Sequence, residues 1–219
     1  MLTFPQSTEF NKRIPKQKFY ENISVTPAMK RCFAEQIKTI YWANKIAPTT
    51  MNIAPGERVT EVEVFELRLS EPRLDEAVLK LIDREIPYHI LFILTCGGKA
   101  QAWIGYKEAA ASGSNAFKVS RYYHTEWQSE GELHLTVEGL TVDDVYDNFV
   151  RQIAALQGEK WDEKSSAAEN IARNEEKERL AKQIATLESK MRKEKQLNRK
   201  MEINAEIKKL CTELKKWGE

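Results

Sequence analysis

Residues 88–108 read YHILFILTC, then Gly97-Gly98, then KAQAWIGYKE, and this stretch decides the fold. Two extended runs joined by a two-residue Gly-Gly connection predict a β-hairpin. The first run is almost wholly apolar (Ile90, Leu91, Phe92, Ile93, Leu94), as expected of a strand covered on both faces. The second sets Ala100, Ala102, Ile104 and Tyr106 against Gln101, Trp103 and Lys107, close to a period of two. After the small-residue loop AAASGSN (109–115), a mobile segment by composition, FKVSRYYHTEW (117–127) predicts a further strand. The hairpin is therefore the middle of a sheet.

Outward from that centre, EVEVFELRL (61–69) alternates strictly. Val62, Val64 and Glu66 fall on one face, and Glu63, Phe65, Leu67 and Leu69 on the other. GELHLTVEG (131–139) repeats the pattern and predicts another strand. Thr26-Pro27 reads as an N-cap and first turn, and Met29, Phe33, Ile37 and Ile40 form one stripe of a helix expected to run to Pro48. A short extended piece is expected over 49–53, then a Pro55-Gly56 turn. Pro72 opens a second helix, with Leu74, Val78, Leu81, Ile82 and Glu85 on successive turns. Thr141 and Asp144 predict a capping box for a third, with a Leu140–Val145 staple, Val142, Phe149, Ile153 and Leu156 facing the sheet, and Gly158 as its stop. The first 25 residues mix Lys12, Arg13, Lys16 and Lys18 with Phe4, Phe10, Phe19 and Tyr20, and read as a solvated lead-in packed by its aromatics.

From Trp161 the composition shifts to Ala, Glu, Lys, Leu and Arg, with no Gly or Pro before Gly218. Leu180, Ile184, Leu187 and Met191 step by coiled-coil spacing, as do Ile203, Ile207, Leu210 and Leu214. The two runs do not share a register. One continuous helix would be about 80 Å long, so a hairpin turning near 196–199 is the preferred reading. The fold class is α/β, an α+β mixed sheet flanked by helices (1–158), with a coiled-coil-like helical arm (159–219).

The totals exclude several functions. A net charge of +1 removes the simplest case for a nucleic-acid binder. The charge is uneven, however: −2 through Lys160 and +3 beyond it. Three scattered cysteines suit reduced thiols, and neither a leader pattern nor a membrane-length apolar run is present. A cytoplasmic protein without membrane contact is expected. The three histidines and Cys96 stand apart, so no metal site is expected; phosphate-loop, dinucleotide and nucleophile-elbow motifs are absent, so no cofactor is expected.

Catalytic candidates are Glu61, Glu63 and Glu66 on one strand, with His124 and Glu126 as a base and its orienting acid. They would serve a metal-dependent nuclease. The acid-x-Lys pair of such enzymes is matched on a strand only by Glu66-Leu67-Arg68, with Arg in place of Lys. Tyr106, Tyr122, Tyr123, Trp103 and Trp127 could stack on bases, or simply pack the sheet. Lys190, Arg192, Lys193, Lys195, Arg199 and Lys200 place six positive charges in eleven residues, against Glu194 alone. They could meet a phosphate backbone, or form a solvated helix end. The eight apolar tail positions from Leu180 to Leu214 would bind a partner or a second copy.

The segments STEFNKRIPKQKFYENISVTPAMK, IYWANKIAPTTMNI, IPYHILFIL, GKAQAWIGYKE, YYHTEW, VYDNFVRQIA and KMRKEKQLNRKMEINAEIKKL resemble one bacterial family, catalogued as domain of unknown function 4391. The resemblance spans essentially the whole chain. It implies no activity and no catalytic residues. Members tend to be encoded beside an ATP-dependent helicase and a DNA methyltransferase in type III restriction-like, phage-defence operons. The resemblance implies a role in such a DNA-processing assembly. The coiled-coil spacing after Trp161, joined to a domain without a catalytic constellation, points to a non-catalytic accessory subunit docking to one of those partners, with DNA as a further contact. A nuclease-like enzyme built on the acidic candidates is the alternative.

Overall fold

The computed structural model describes residues 4–19, 25–109, 117–158, 161–162 and 165–216. The expected loop at 109–115 lies outside them from residue 110 on, as do Tyr20 and Trp217. The chain divides into two compact units, Met1–Lys160 and Trp161–Glu219.

The first unit is a seven-stranded mixed sheet with helices on both faces. Its strands are β1 (Glu9–Ile14), β2 (Ile37–Ile46), β3 (Val62–Leu69), β4 (His89–Cys96), β5 (Lys99–Ala109), β6 (Phe117–His124) and β7 (Gln128–Ser129). They lie in the order β1-β2-β3-β4-β5-β6, with β7 on β5. Every pairing is antiparallel except β3–β4, which α2 (Glu76–Glu85) bridges. Gly97 and Gly98 sit at φ 58° and 78°, the two left-handed residues that a type I′ hairpin turn requires. On β4, Ile90 to Leu94 are buried without a break. One face carries α1 (Pro27–Gln36) and α2, whose Phe33, Val78 and Ile82 join Phe65, Leu67, Leu69 and Phe92 in one core. The other face carries α3 (Val142–Leu156), which packs on β5 and β6 with Val142, Val145, Phe149 and Ile153 buried.

The caps follow the sequence. Thr26 accepts from Met29 N, Asp75 from Ala77 N, and Thr141 and Asp144 close the expected capping box. Several expectations are corrected. The first helix ends at Gln36, and Ile37 to Ile46 form β2. The run IKTIYW is β-branched and aromatic, and here it pairs on both sides, with β1 and β3. Ile37 and Ile40 remain buried, so the helical stripe had the right residues and the wrong period. The lead-in supplies β1, with the Phe10 ring tilted against Trp42, centroids 4.3 Å apart. Residues 49–53 turn, leaving a single bridge from Ala54 to Thr141. The second helix starts after Asp75 rather than at Pro72. Leu140 is 84% exposed, so the staple is absent, and Leu156 is also exposed.

Residues 131–139 alternate in burial, with Leu133 and Leu135 inside, yet join no strand. The Gln152 side chain takes a neighbouring strand's place: it accepts from Thr136 N at 2.9 Å and donates to Thr136 O at 2.9 Å.

In the second unit α4 (Ala167–Lys193) and α5 (Leu197–Lys216) pack on each other as a helical hairpin. The turn is residues 194–196, ahead of the expected 196–199, because Leu197 already opens α5. Ser166 and Glu169 form a capping box at the start of α4, and the Asn170 side chain donates to the carbonyls of Asp162, Ser165 and Ser166. Among the described residues, no helix is long and apolar enough to cross a membrane.

Gly105 on β5 lies against the Tyr122 ring, and a Cβ there would stand 2.9 Å from both Tyr122 Cε1 and Val119 Cγ1. Gly105→Ala is expected to destabilise the domain by about 1–3 kcal/mol in urea denaturation, through overpacking.

Candidate functional site

The chain directions bring the starts of β3 and β4 and the ends of β2 and β5 to one end of the sheet. Charged residues gather there in three groups.

The innermost is Lys107 on β5. Its side chain and that of Asp83, near the end of α2, are 0% and 1% exposed, and the ammonium lies 2.9 Å from Asp83 Oδ1. Lys107 Nζ also donates to the carbonyls of Tyr88 and, at 3.3 Å, Asp83. Tyr122 OH donates to Asp83 Oδ2. Burial pushes the Asp83 carboxyl up and the Lys107 ammonium down, and each draws the other back. Burial, then the Asp83 charge, raises the Tyr122 phenol far above its usual range. Tyr146 OH accepts from Lys107 N at 3.0 Å and donates to Gly105 O at 2.6 Å, beyond the last β4–β5 pair. The His89 ring packs edge-on to Tyr146 at 4.4 Å, and burial followed by the Lys107 charge lowers its pKa to about 3. His89 is neutral at physiological pH.

The second group is Glu61, Glu63, Lys45 and Trp42. Lys45 Nζ lies 2.5 Å from Glu61 Oε2, and Trp42 Nε1 donates to Glu63 Oε2. Glu63 is 1% exposed, and its pKa is pushed up to about 8, chiefly by burial and then by the Glu61 carboxyl. A second carboxyl alongside disfavours a further negative charge at Glu63. The third group is Asp143 on α3, whose carboxylate accepts from the backbone N–H groups of Glu57, Arg58 and Val59, with Arg58 Nη2 2.8 Å from Asp147. It fastens the loop before β3 to the start of α3.

The sequence candidates do not assemble. Glu61 and Glu63 are neighbours, but Glu66 faces the other side of the sheet and pairs with Arg68 at 2.7 Å. His124 lies on β6, three strands or about 14 Å from β3. It stacks on Trp103 at 4.3 Å, with Nδ1 3.0 Å from Thr125 O, while Glu126 is exposed. Tyr122 is buried, with its hydroxyl on Asp83. Tyr106 and Tyr123 are buried packing, unavailable for stacking on bases. Among the described residues, no three His, Cys, Asp or Glu side chains are grouped to hold a metal ion.

Lys45, Asp83 and Lys107 were not legible as a site. Lys107 gave no signal of its own, since it sits on the alternating face with Gln101 and is followed by Glu108. A hollow of about 300 Å³ opens elsewhere, on the sheet face carrying Glu66 and Arg68, floored by Val64, Ile93 and Ala100.

In the second unit, Leu180 and Ile207 are buried, and Ile184, Leu187, Met191, Ile203, Leu210 and Leu214 are half-buried. Lys190, Arg192, Lys193, Lys195, Arg199 and Lys200 surround the turn, where Glu194 Oε1 accepts from Lys195 N (2.8 Å) and Gln196 N (2.9 Å). Arg192 lies 3.8 Å from Glu188.

A mixed-sheet α+β domain followed by a helical hairpin is the class these features define. The chain belongs to the family described as Domain of unknown function (DUF4391), whose model matches residues 2–214. No curated protein and no solved structure matches it.

Lys107→Met is expected to cost about 3–5 kcal/mol in chemical denaturation, because it strands a buried Asp83. Adding Asp83→Asn should recover part of that loss. Glu63 sets a pH dependence of definite sign. The folded chain keeps a proton on Glu63 that the unfolded chain releases above 4.5, so stability falls as pH rises from 4.5 to about 8. Glu63→Gln retains an acceptor for Trp42, and its melting temperature should fall less than the wild type's across that window.

Proposed function

We propose that this chain is a non-catalytic accessory subunit of a bacterial DNA-restriction or phage-defence assembly, docking through its helical hairpin onto a helicase or DNA methyltransferase in the cytoplasm. The observation that carries this reading is that residues 161–216 fold as a compact helical hairpin of their own. Between its helices lies a groove of about 400 Å³ with Leu187 and Leu210 at its base. Arg179, Lys182 and Lys190 border it against Glu206 alone, a lining suited to an amphipathic helix with an acidic flank. The sheet domain, meanwhile, spends its buried charges on internal pairs, which suits a scaffold.

Removal of residues 161–219 is expected to abolish co-purification with the neighbouring helicase or methyltransferase while the sheet domain keeps a cooperative thermal transition. Retained co-purification would assign docking to the sheet domain.

One juxtaposition favours a second reading, a metal-dependent nuclease: Glu61, Glu63 and Lys45 stand together at a strand end. Divalent-metal-dependent DNA cleavage that is lost in both Glu63→Ala and Lys45→Ala would establish it and displace the first.

A further inference from the structure

We propose that the turn of the helical hairpin is a contact for double-stranded DNA, holding phosphates with its cations and pressing Leu197 and Met201 into a groove. The six cations of 190–200 belong to the end of α4, the turn and the first turn of α5, so folding gathers them at one tip. The one carboxylate in that stretch, Glu194, is engaged by two backbone N–H groups. The tip is therefore a concentrated positive surface in a chain of nearly balanced charge.

Folding also reveals an apolar pair that the sequence pattern did not single out. Leu197 and Met201 are 71% and 65% exposed. They lie one turn apart on α5, about 6 Å along its axis. Ile203, Ile207, Leu210 and Leu214 form α5's seam, and at 100° per residue Leu197 and Met201 point well away from it. Lys200 lies nearer the seam and is half-buried, so the cations closest to Leu197 in the chain are Lys195 and Arg199, both exposed. The hairpin therefore makes no use of this pair in its own packing.

Two exposed aliphatic side chains among cations match the way proteins enter a narrow groove: basic residues grip the backbone while Leu or Met presses on base steps. A minor groove of about 6 Å suits so small a wedge. A lipid surface calls for a longer apolar face, whereas this side of α5 continues with Asn204 and Lys208. The phosphate contacts are sequence-blind. It also stands apart from docking to a protein partner, because the purified chain alone should display it.

The test is fluorescence anisotropy of the full chain on a duplex of about 30 base pairs over a salt series. Binding should weaken with salt with a log–log slope of about −4 to −5. Lys193→Glu/Lys195→Glu/Arg199→Glu should raise Kd at least about 30-fold and flatten that slope. Leu197→Ser/Met201→Ser should raise Kd about 10-fold with the slope unchanged, because it removes no charge. Both variants alter exposed positions, and unchanged helical circular dichroism confirms that the hairpin is intact. Absence of duplex binding at low salt overturns the proposal, as does binding that survives the triple charge reversal. Preference for vesicles of phosphatidylglycerol over duplex would assign the tip to membranes instead. Unchanged affinity in the Leu197/Met201 variant overturns the wedge.

Discussion

A lysine with no access to water is the constraint on which the sheet domain depends. The Lys107 ammonium can stay charged inside the protein only if oxygen atoms surround it, and the chain supplies Asp83, the Asp83 carbonyl and the Tyr88 carbonyl. Those groups come from the end of α2 and the segment leading into β4. Satisfying one charge therefore fixes where α2 ends, where β4 begins and how β5 passes them. Tyr122 extends the same requirement to β6. An apolar core tolerates small slips; a buried ion pair with defined partners does not.

Tyr146 applies the same logic from the opposite face. Its hydroxyl closes two β5 backbone groups where the β4–β5 ladder stops, so α3 is held by polar as well as apolar contacts. Gln152 does likewise for Thr136. At both places a helix side chain stands in for an absent strand. This lets the sheet end irregularly without leaving buried backbone unpaired.

The two units use charge in opposite ways. In the sheet domain Lys107, Asp83 and Asp143 are turned inward and bound to specific partners. Around the hairpin turn the cations are exposed apart from half-buried Lys200, Arg192 lies beside Glu188, and Glu194 is occupied by backbone. Inward charge gives registration, whereas outward charge of one sign gives attraction for a polyanion. The pattern divides scaffold from contact surface along the chain.

The hairpin at Gly97-Gly98, the buried run of β4, the existence of β3, the Thr141–Asp144 capping box and the helical hairpin were all legible in residues 61–216, although β3 is buried on both faces over Val62 to Phe65 instead of alternating. Most rest on local chemistry: glycine's left-handed freedom, apolar and β-branched runs or N-cap donors. The helical hairpin rests on the register break between its two apolar runs and on the length one continuous helix would have. The helix-to-strand change at Ile37 was not legible, because Ile37 and Ile40 suit a helical stripe and a buried strand equally. Only pairing with β1 and β3 decides between them. Nor did local sequence say that 131–139 lacks a ladder, since alternating burial does not reveal whether a neighbouring strand exists. The charged end of the sheet lay further out of reach: Lys45, Glu63, Asp83 and Lys107 come from separate elements. Sequence by itself determined which segments could be strands and helices and where positive charge accumulates. Tertiary structure alone decided which charges are buried with partners and which apolar residues are left in water, because burial depends on what the rest of the chain brings alongside.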